Sequence, residues 1–312
     1  MTAFFDTNLT EVNGKKYKMI KGIPCFLDSM DLVPSQSREL ASTVAYINGI
    51  KAGRNELYDQ IRFYDQPKVC WEWAERWIND NTVNDDTKIV CVGGSFADDL
   101  PHVKSDYKFN IDHLACHYMR TAPDMKDANT HYIACKSEAL PFGDGYADIV
   151  YTRNALDHVD NPVKTLLEMH RIVSQSGRVF IGVYFNSTFL SDHESMVIND
   201  EFLTKCIEPL FTIEHRSMDE APQQHLAVGK TGFIYLVCKK KEGGKVRLTE
   251  EQIDNIEKIL YYFHLGFIHQ GKDTQLAVKY YKKLLEIQPV LDTDKLRMDQ
   301  ARGFLGAHKE SL

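Results

Sequence analysis

Short apolar runs separated by stretches of helical spacing occupy the middle of the chain. From residue 87 they follow in the order KIVCVGG, YKFNID, HYIACK, ADIVYTR, GRVFIGVYF, FTIEHR and GFIYLVCKK. Each predicts a strand, because it is short, rich in β-branched and aromatic residues, and bounded by turn formers. Runs that are apolar at nearly every position belong to strands covered on both faces, as in parallel sheets with helical crossovers. NPVKTLLEMHRIVSQSG predicts a helix with Asn161 as cap, Pro162 in the first turn and Gly177 as its stop. DEAPQQHLAVGKT, between the last two runs, is too irregular for a helix and suits an antiparallel return. The pattern predicts an α/β fold, a doubly wound seven-stranded, mostly parallel sheet closed by a hairpin.

The flanks read differently. Residues 16–28, KYKMIKGIPCFLD, predict a short hairpin or extended lobe broken at Gly22 and Pro24, since proline does not sit centrally in a ladder. After Pro34, SQSRELASTVAYINGIKAG offers a serine cap and helical spacing. PKVCWEWAERWIND sets Val69, Trp73 and Trp77 on one helical face, a stripe that reads as core packing. Beyond Lys241, GGK leads into two strongly helical stretches, with residues 294–308 as a third helix. ILYYFHLGFIHQGKDTQLAVKYYKKLLEIQP, with Gly266, Ala277, Tyr281 and Pro289, resembles a tetratricopeptide repeat, where a small residue lets two antiparallel helices approach. A solitary unit cannot bury its own face. The expectation is a helical hairpin docked on the sheet domain or on a second subunit, available to a protein partner or to self-association. Three regions follow: an N-terminal lobe with helices (1–85), a sheet domain (86–241) and a C-terminal helical extension (242–312).

Composition narrows the function classes. The chain has 312 residues, 43% hydrophobic and 26% charged, with 37 basic against 44 acidic side chains. That balance speaks against nucleic-acid binding, which needs clustered Lys and Arg; Lys239–Lys241 reads as a solvated strand end. The seven cysteines contain no CxxC pair, so reduced thiols and a cytoplasmic location are expected. Neither a signal pattern nor a membrane-length apolar run is present in the sequence.

In open parallel sheets a ligand sits beyond the carboxyl ends of the strands, close to the loop after the first one. That loop is Val92-Gly93-Gly94-Ser95-Phe96-Ala97, whose small residues let backbone amides approach a ligand. Nineteen residues after Gly93, at the end of the second run, stands Asp112, where a carboxylate can accept both hydroxyls of a ribose. The alternatives remain open: Gly93 and Gly94 also suit a tight turn, and Asp112 also suits a helix cap. His113 and His117 share a helix face with Cys116 nearby, but no third ligand has a suitable spacing, so no metal is expected.

The stretch CKSEALPFGDGYADIVYTRNALDHVDNPVKTLLEMHRIVSQSGRVFIGV resembles the middle of a class I S-adenosylmethionine-dependent methyltransferase. The matching elements are Glu138-Ala139-Leu140-Pro141-Phe142, Asp148, Leu156, His158-Val159, Glu168, Arg171 and Gly177, over roughly residues 87–185. The resemblance implies a Rossmann-like methyltransferase fold with S-adenosylmethionine as cofactor. It places Gly93, Gly94 and Ser95 on the methionine part and Asp112 on the ribose. His113, Ser137, Glu138 and Ala139 would border the adenine with Leu140 on its ring, and Arg153 and Asn154 would face the methyl. YDQIRFYDQ resembles the tyrosine-bearing helix of such enzymes, which implies Tyr58 or Tyr64 over the sulfonium. Departures are Cys91 where the family carries an acid, Ser95 and Ala97 where it carries glycines, and Lys136 where an acid reads the adenine amino group.

Two functions follow. The first is methyl transfer to a small-molecule acceptor, a metabolite, sugar or lipid-linked intermediate, with His158 or His193 as base if the acceptor is a hydroxyl. A histidine at the place of His158 is more often structural, bonded near the helix start. Asn186 to Asn199 and the N-terminal lobe would form the acceptor lid. The second is a non-catalytic methyltransferase-like interaction module, which the departures favour. A nicotinamide enzyme fits least, because G-x-G-x-x-G is missing.

Overall fold

A computed structural model describes residues 11–51 except 13, 31 and 33, residues 83–121 except 96–99, 101 and 102, and residues 128–185, 197–220 and 232–308. The N-terminal lobe starts with two small hairpins, β1 (Glu11–Val12) with β2 (Lys15–Lys16), and β3 (Lys18–Ile20) with β4 (Ile23–Cys25). Lys21 and Gly22 turn the second hairpin with φ of 51° and 77°, the twist that two-residue hairpin loops require. Pro24 pairs with Met19, and its carbonyl accepts from the Ala134 amide at 2.9 Å while Phe26 donates to the Ala134 carbonyl at 2.8 Å. The proline is thus tolerated at the rim of the main sheet, where only its carbonyl is used. α1 (Pro34–Lys51) begins at Pro34 itself rather than behind a serine cap; proline lacks an N–H that the first turn would leave unpaired. The tryptophan-bearing helix, Tyr58 and Tyr64 lie outside the described residues.

The seven expected strands form one sheet: β5 (Lys88–Val92), β6 (Tyr107–Ile111), β7 (Thr130–Ile133), β8 (Ala147–Arg153), β9 (Val173–Phe185), β10 (Phe211–Glu220) and β11 (Gly232–Lys240), in the order β10-β11-β9-β8-β5-β6-β7. β5 to β9 pair in parallel, and β11 runs antiparallel to both β9 and β10. The chain leaves β5 toward β6 and β7, then crosses back to β8, so strand order reverses between β5 and β8. Helices α2 (Ala115–Thr121) and α3 (Pro162–Ile172) follow β6 and β8.

α3 starts as expected. Asn161 Oδ1 accepts from the Val163 and Lys164 amides at 3.1 Å each, and Pro162 occupies the first turn. It ends at Ile172, short of Gly177. Val173 is fully buried and extended, pairing with Ala147. A Cβ on Gly177 would lie 2.6 Å from the Asp148 carbonyl oxygen, so this glycine answers a close backbone approach inside β9 rather than a helix stop.

Three helices close the chain: α4 (Glu250–His269) with a Thr249/Gln252 capping box, α5 (Thr274–Leu285) capped by Asp273, and α6 (Asp292–Ala307). Gly266 meets Tyr281 so closely that a Cβ would lie 2.4 Å from its ring, the small-residue contact that the sequence pattern suggested. The extension docks on the sheet domain. Ile253, Ile256, Leu260 and Leu291 belong to the same buried cluster as Val150, Ile181 and Leu236. Asn161 Nδ2 donates to the Ile253 carbonyl at 3.0 Å, and Lys164 pairs with Glu257 at 2.7 Å and Asp254 at 2.9 Å. Among the described residues no helix is long and apolar enough to cross a membrane.

Candidate active site at the strand-order reversal

The loops after β5 and β8 meet at the reversal point. Gly93 has φ of 77°, and a Cβ there would lie 2.3 Å from the Ala155 Cβ, so a side chain is excluded twice over. Its amide donates to the Ile111 carbonyl at 2.7 Å, and the Asn154 amide to the Gly182 carbonyl at 2.7 Å. A Cβ on Gly94 would meet Cys91 Sγ at 2.7 Å and Asn110 Nδ2 at 2.8 Å. Both glycines are therefore demanded by the chain's own packing, whatever ligand approaches. Ser95 and Asn154, one on each side, hold left-handed φ of 52° and 47°, a conformation that costs L-residues about 1–2 kcal/mol. Such outliers concentrate where function over-determines the backbone.

Asp112 directly follows β6 beside this bend and is buried. Its Oδ2 accepts from the Ser95 amide at 3.0 Å and its Oδ1 from the Leu114 amide at 2.7 Å. Capping and contact with the glycine bend are thus combined in one carboxylate. Asn110, two residues earlier and fully buried, donates from Nδ2 to the Ser95 carbonyl at 2.6 Å. The sequence pattern does not single out Asn110; its one signal is an amide late in a short strand that also carries Lys108. His113 Nδ1 lies 3.9 Å from Asp112 Oδ1. His113 Nε2 and Asn154 Oδ1 are buried polar atoms without a hydrogen-bond partner in the structure. His117 also leaves a buried Nε2 unpaired, and burial, then Arg120, hold its imidazole below its ordinary pKa. Among the described residues no group of three His, Cys, Asp or Glu side chains is placed to hold a metal ion.

The residues around the LPF turn are fastened to α3 and the core. Ser137 and Thr165 share a hydroxyl contact of 2.9 Å, and Glu138 Oε1 accepts from the Asn161 amide at 2.8 Å. Burial, with the Asp160 charge adding, pushes the Glu138 carboxyl up. Ala139 is exposed. Leu140 is fully buried in the main core, with its amide donating to Glu168 Oε2 at 2.7 Å. Arg171 donates to the carbonyls of Phe142 at 2.7 Å and Leu140 at 3.1 Å while paired with Glu168 at 2.7 Å. Lys15 of the N-terminal lobe reaches the Leu140 carbonyl at 2.7 Å. Glu168 and Arg171 thus read the backbone of the turn and fasten it to α3. Lys136 pairs with Asp160 at 2.6 Å on the surface.

Arg153, half-buried, ends β8. His158 stands in the turn that follows, its amide donating to the Ala155 carbonyl at 2.9 Å and its Nε2 3.7 Å from Asp157 Oδ1. His193, Ala97 and most of the insert after β9 lie outside the described residues. The structure therefore fastens Ser95 to Asp112, sets His113 beside that carboxylate, and packs Gly93 against Ala155, the residue after Asn154. Ser137, Glu138 and Leu140 are tied to α3 and the core.

Residues 88–181 match the family model described as a methyltransferase domain. No curated protein matches the chain in sequence. Similar solved structures include the MccD protein, 14% identical with a TM-score of 0.44 over 57% of this chain and 100% of that one. A phosphoethanolamine N-methyltransferase of Haemonchus contortus with S-adenosyl-L-methionine is 12% identical with a TM-score of 0.43 over 54% and 51%. A geranyl diphosphate C-methyltransferase of Streptomyces coelicolor with S-adenosyl-L-homocysteine is 9% identical with a TM-score of 0.43 over 55% and 76%. Residues 88–181, which carry β5 to β8 and the glycine bend between them, are thus similar to a methyltransferase domain.

Proposed function

We propose that the protein binds S-adenosylmethionine at the bend between β5 and β8 and transfers its methyl group to a small-molecule acceptor. The observation that carries this reading is the Asp112 carboxylate held against the Ser95 amide at the strand-order reversal, which joins a ribose-type acceptor to a glycine-lined turn. The chain's residues suit such a guest. His113 Nε2 and Asn154 Oδ1 are buried without partners on either side of the bend, and buried polar atoms are costly to leave unpaired. Gly93 to Ser95 would hold the amino-acid portion, Asp112 the ribose hydroxyls and His113 the edge of the base. The Ser137–Ala139 turn, anchored on α3, would border the base, with Leu140 behind it. Arg153 and Asn154 would face the reacting centre, and Tyr64 would cover it from the N-terminal lobe.

When bound, the sulfonium supplies an already activated methyl, so the protein needs no nucleophile of its own. The remaining work is positioning, which supplies up to about 7–11 kcal/mol in model reactions. For a hydroxyl acceptor, His158 beside Asp157, or His193 from the insert after β9, would take the proton; an amine or carboxylate acceptor needs neither. The acceptor belongs to the small metabolites, sugars or lipid-linked intermediates.

Thermal unfolding with S-adenosylhomocysteine tests the reading. Ligand at 100 times its dissociation constant is expected to add about 2.7 kcal/mol of stability. Asp112→Ala is expected to abolish that gain and to lower the ligand-free stability by about 1 kcal/mol through the lost Leu114 cap. No shift at millimolar ligand overturns the reading and favours a non-catalytic interaction module, for which Asp112 is only a clamp on its own loop.

A further inference from the structure

We infer that Asn110 is a positioning residue for the cofactor bend: together with Asp112 it holds Ser95 in the left-handed conformation that shapes the site. The inference rests on the reading above for its consequence in binding, while the clamp itself stands on geometry alone.

Ser95 occupies a position where a glycine would enter φ of 52° at no steric cost. Serine pays for that conformation, so something must hold it there. Both of its backbone polar groups are taken by side chains from the end of β6 and the residue just beyond it: Asn110 donates to its carbonyl at 2.6 Å, and Asp112 accepts from its amide at 3.0 Å. Side chains two apart on a strand share a face, so the pair grips a single residue from one side. Asn110 is fully buried and stands opposite Cys91 in the parallel register. The Cys91 thiol and the Asn110 amide are also the two groups that a side chain at Gly94 would strike. Cys91, Asn110 and Gly94 therefore form the floor on which Ser95 is fastened.

This arrangement accounts for the departures at the bend. With Cys91 where a carboxylate is expected, the first strand carries no charged anchor for the loop. The second strand supplies one instead, an amide for the carbonyl and a carboxylate for the amide. Releasing the Asn110 contact would let Ser95 relax toward the ordinary right-handed region, turning its amide away from Asp112 and unshaping the bend on the side where a ribose would lie. Glycine at position 95 has no such preference to relax, so the need for Asn110 is tied to serine.

The test is a double-mutant cycle on the full-length protein, with Asn110→Leu as a near-isosteric change that removes the donor without opening a cavity, and Ser95→Gly as the second change. S-adenosylhomocysteine binding is measured by calorimetry and ligand-free melting by circular dichroism. Asn110→Leu is expected to weaken binding by about tenfold or more in the native background and by no more than about threefold in the S95G background. A purely structural asparagine predicts a lower melting temperature in both backgrounds with unchanged affinity, and equal losses of affinity in both backgrounds likewise overturn the inference. Should the native protein bind no S-adenosylhomocysteine, the cofactor reading fails, and melting alone judges the clamp. Asn110→Leu should then lower the midpoint by about 2–4 °C more in the native than in the S95G background. Additive shifts overturn it.

Discussion

A carboxylate can be placed for what it binds or for what it keeps in place, and this site contains both kinds. Asp112 touches the bend directly, whereas Glu138, half-buried, accepts the Asn161 amide at the start of α3. Burial, then Asp160, raises the Glu138 carboxyl in the folded state, so its ionised form weakens the fold. Protonation is complete in both states well below the ordinary carboxylate range, and there the group costs nothing. As pH rises through about 4.3, the unfolded chain ionises first and stability falls until the raised folded value is passed. Glu138→Gln keeps the acceptor for Asn161 and removes this loss. Urea titrations are expected to show equal stabilities near about pH 3 and a more stable variant near about pH 7; an unchanged gap across that range would contradict the assignment. At this scale the sequence was partly transparent. Gly93, Gly94 and Asp112 announced themselves by spacing, because small residues and an acid after strands have few uses. Asn110 did not, since its work depends on which residue of the folded loop comes to lie over it. The burial of Leu140 was hidden for the same reason: the turn's fastening by Glu168 and Arg171 is formed only once α3 has docked.

Helices and strands were more legible than their ends. The inner strands appeared as apolar runs because they are buried at nearly every position, as in β5 and β11, whereas the edge strand β10 alternates with exposed residues; the close of α3 did not appear, since IVSQSG continues a helical spacing that Val173 abandons to pair with Ala147. The close approach of α4 and α5 was readable from Gly266 together with Ala277, Tyr281 and Pro289. Tyr281 is fully buried there, held by Gln270 at its hydroxyl and packed on Phe304 with ring centroids 5.3 Å apart, so its ring has nowhere to retreat. Gly266→Ala gains about 1 kcal/mol in helix propensity and meets a ring 2.4 Å from the new Cβ, an overpacking that costs about 1–3 kcal/mol. The steric cost wins when the ring is pinned. Chemical denaturation is expected to show a net loss of up to about 2 kcal/mol, and a stabilised variant would mean that the two helices separate easily.

Across the whole molecule, the decisive feature is that the last helices complete the core of the sheet rather than hang from it. Ile253, Ile256, Leu260 and Leu291 sit among strand residues, and each fully buried side chain of this kind contributes about 1.5–3 kcal/mol. Together they approach the entire net stability of an ordinary domain, about 5–15 kcal/mol. Truncation after Lys241 is therefore expected to yield an aggregating or dye-binding product, and a monomeric, cooperatively melting fragment would refute this. Composition could not foretell it, because a docked hairpin and a tethered one have the same amphipathic pattern; the difference lies in Asn161 reaching the Ile253 carbonyl and in Lys164 meeting Glu257. The same geometry bears on biosynthesis. While a ribosome is still making the residues after β11, the α3 side of the sheet stands uncovered and greasy, and only the emergence of α4 seals it. The nascent chain must pass through an interval in which it is vulnerable to sticking, a task for chaperones that grows with every pause in translation between Lys241 and His269.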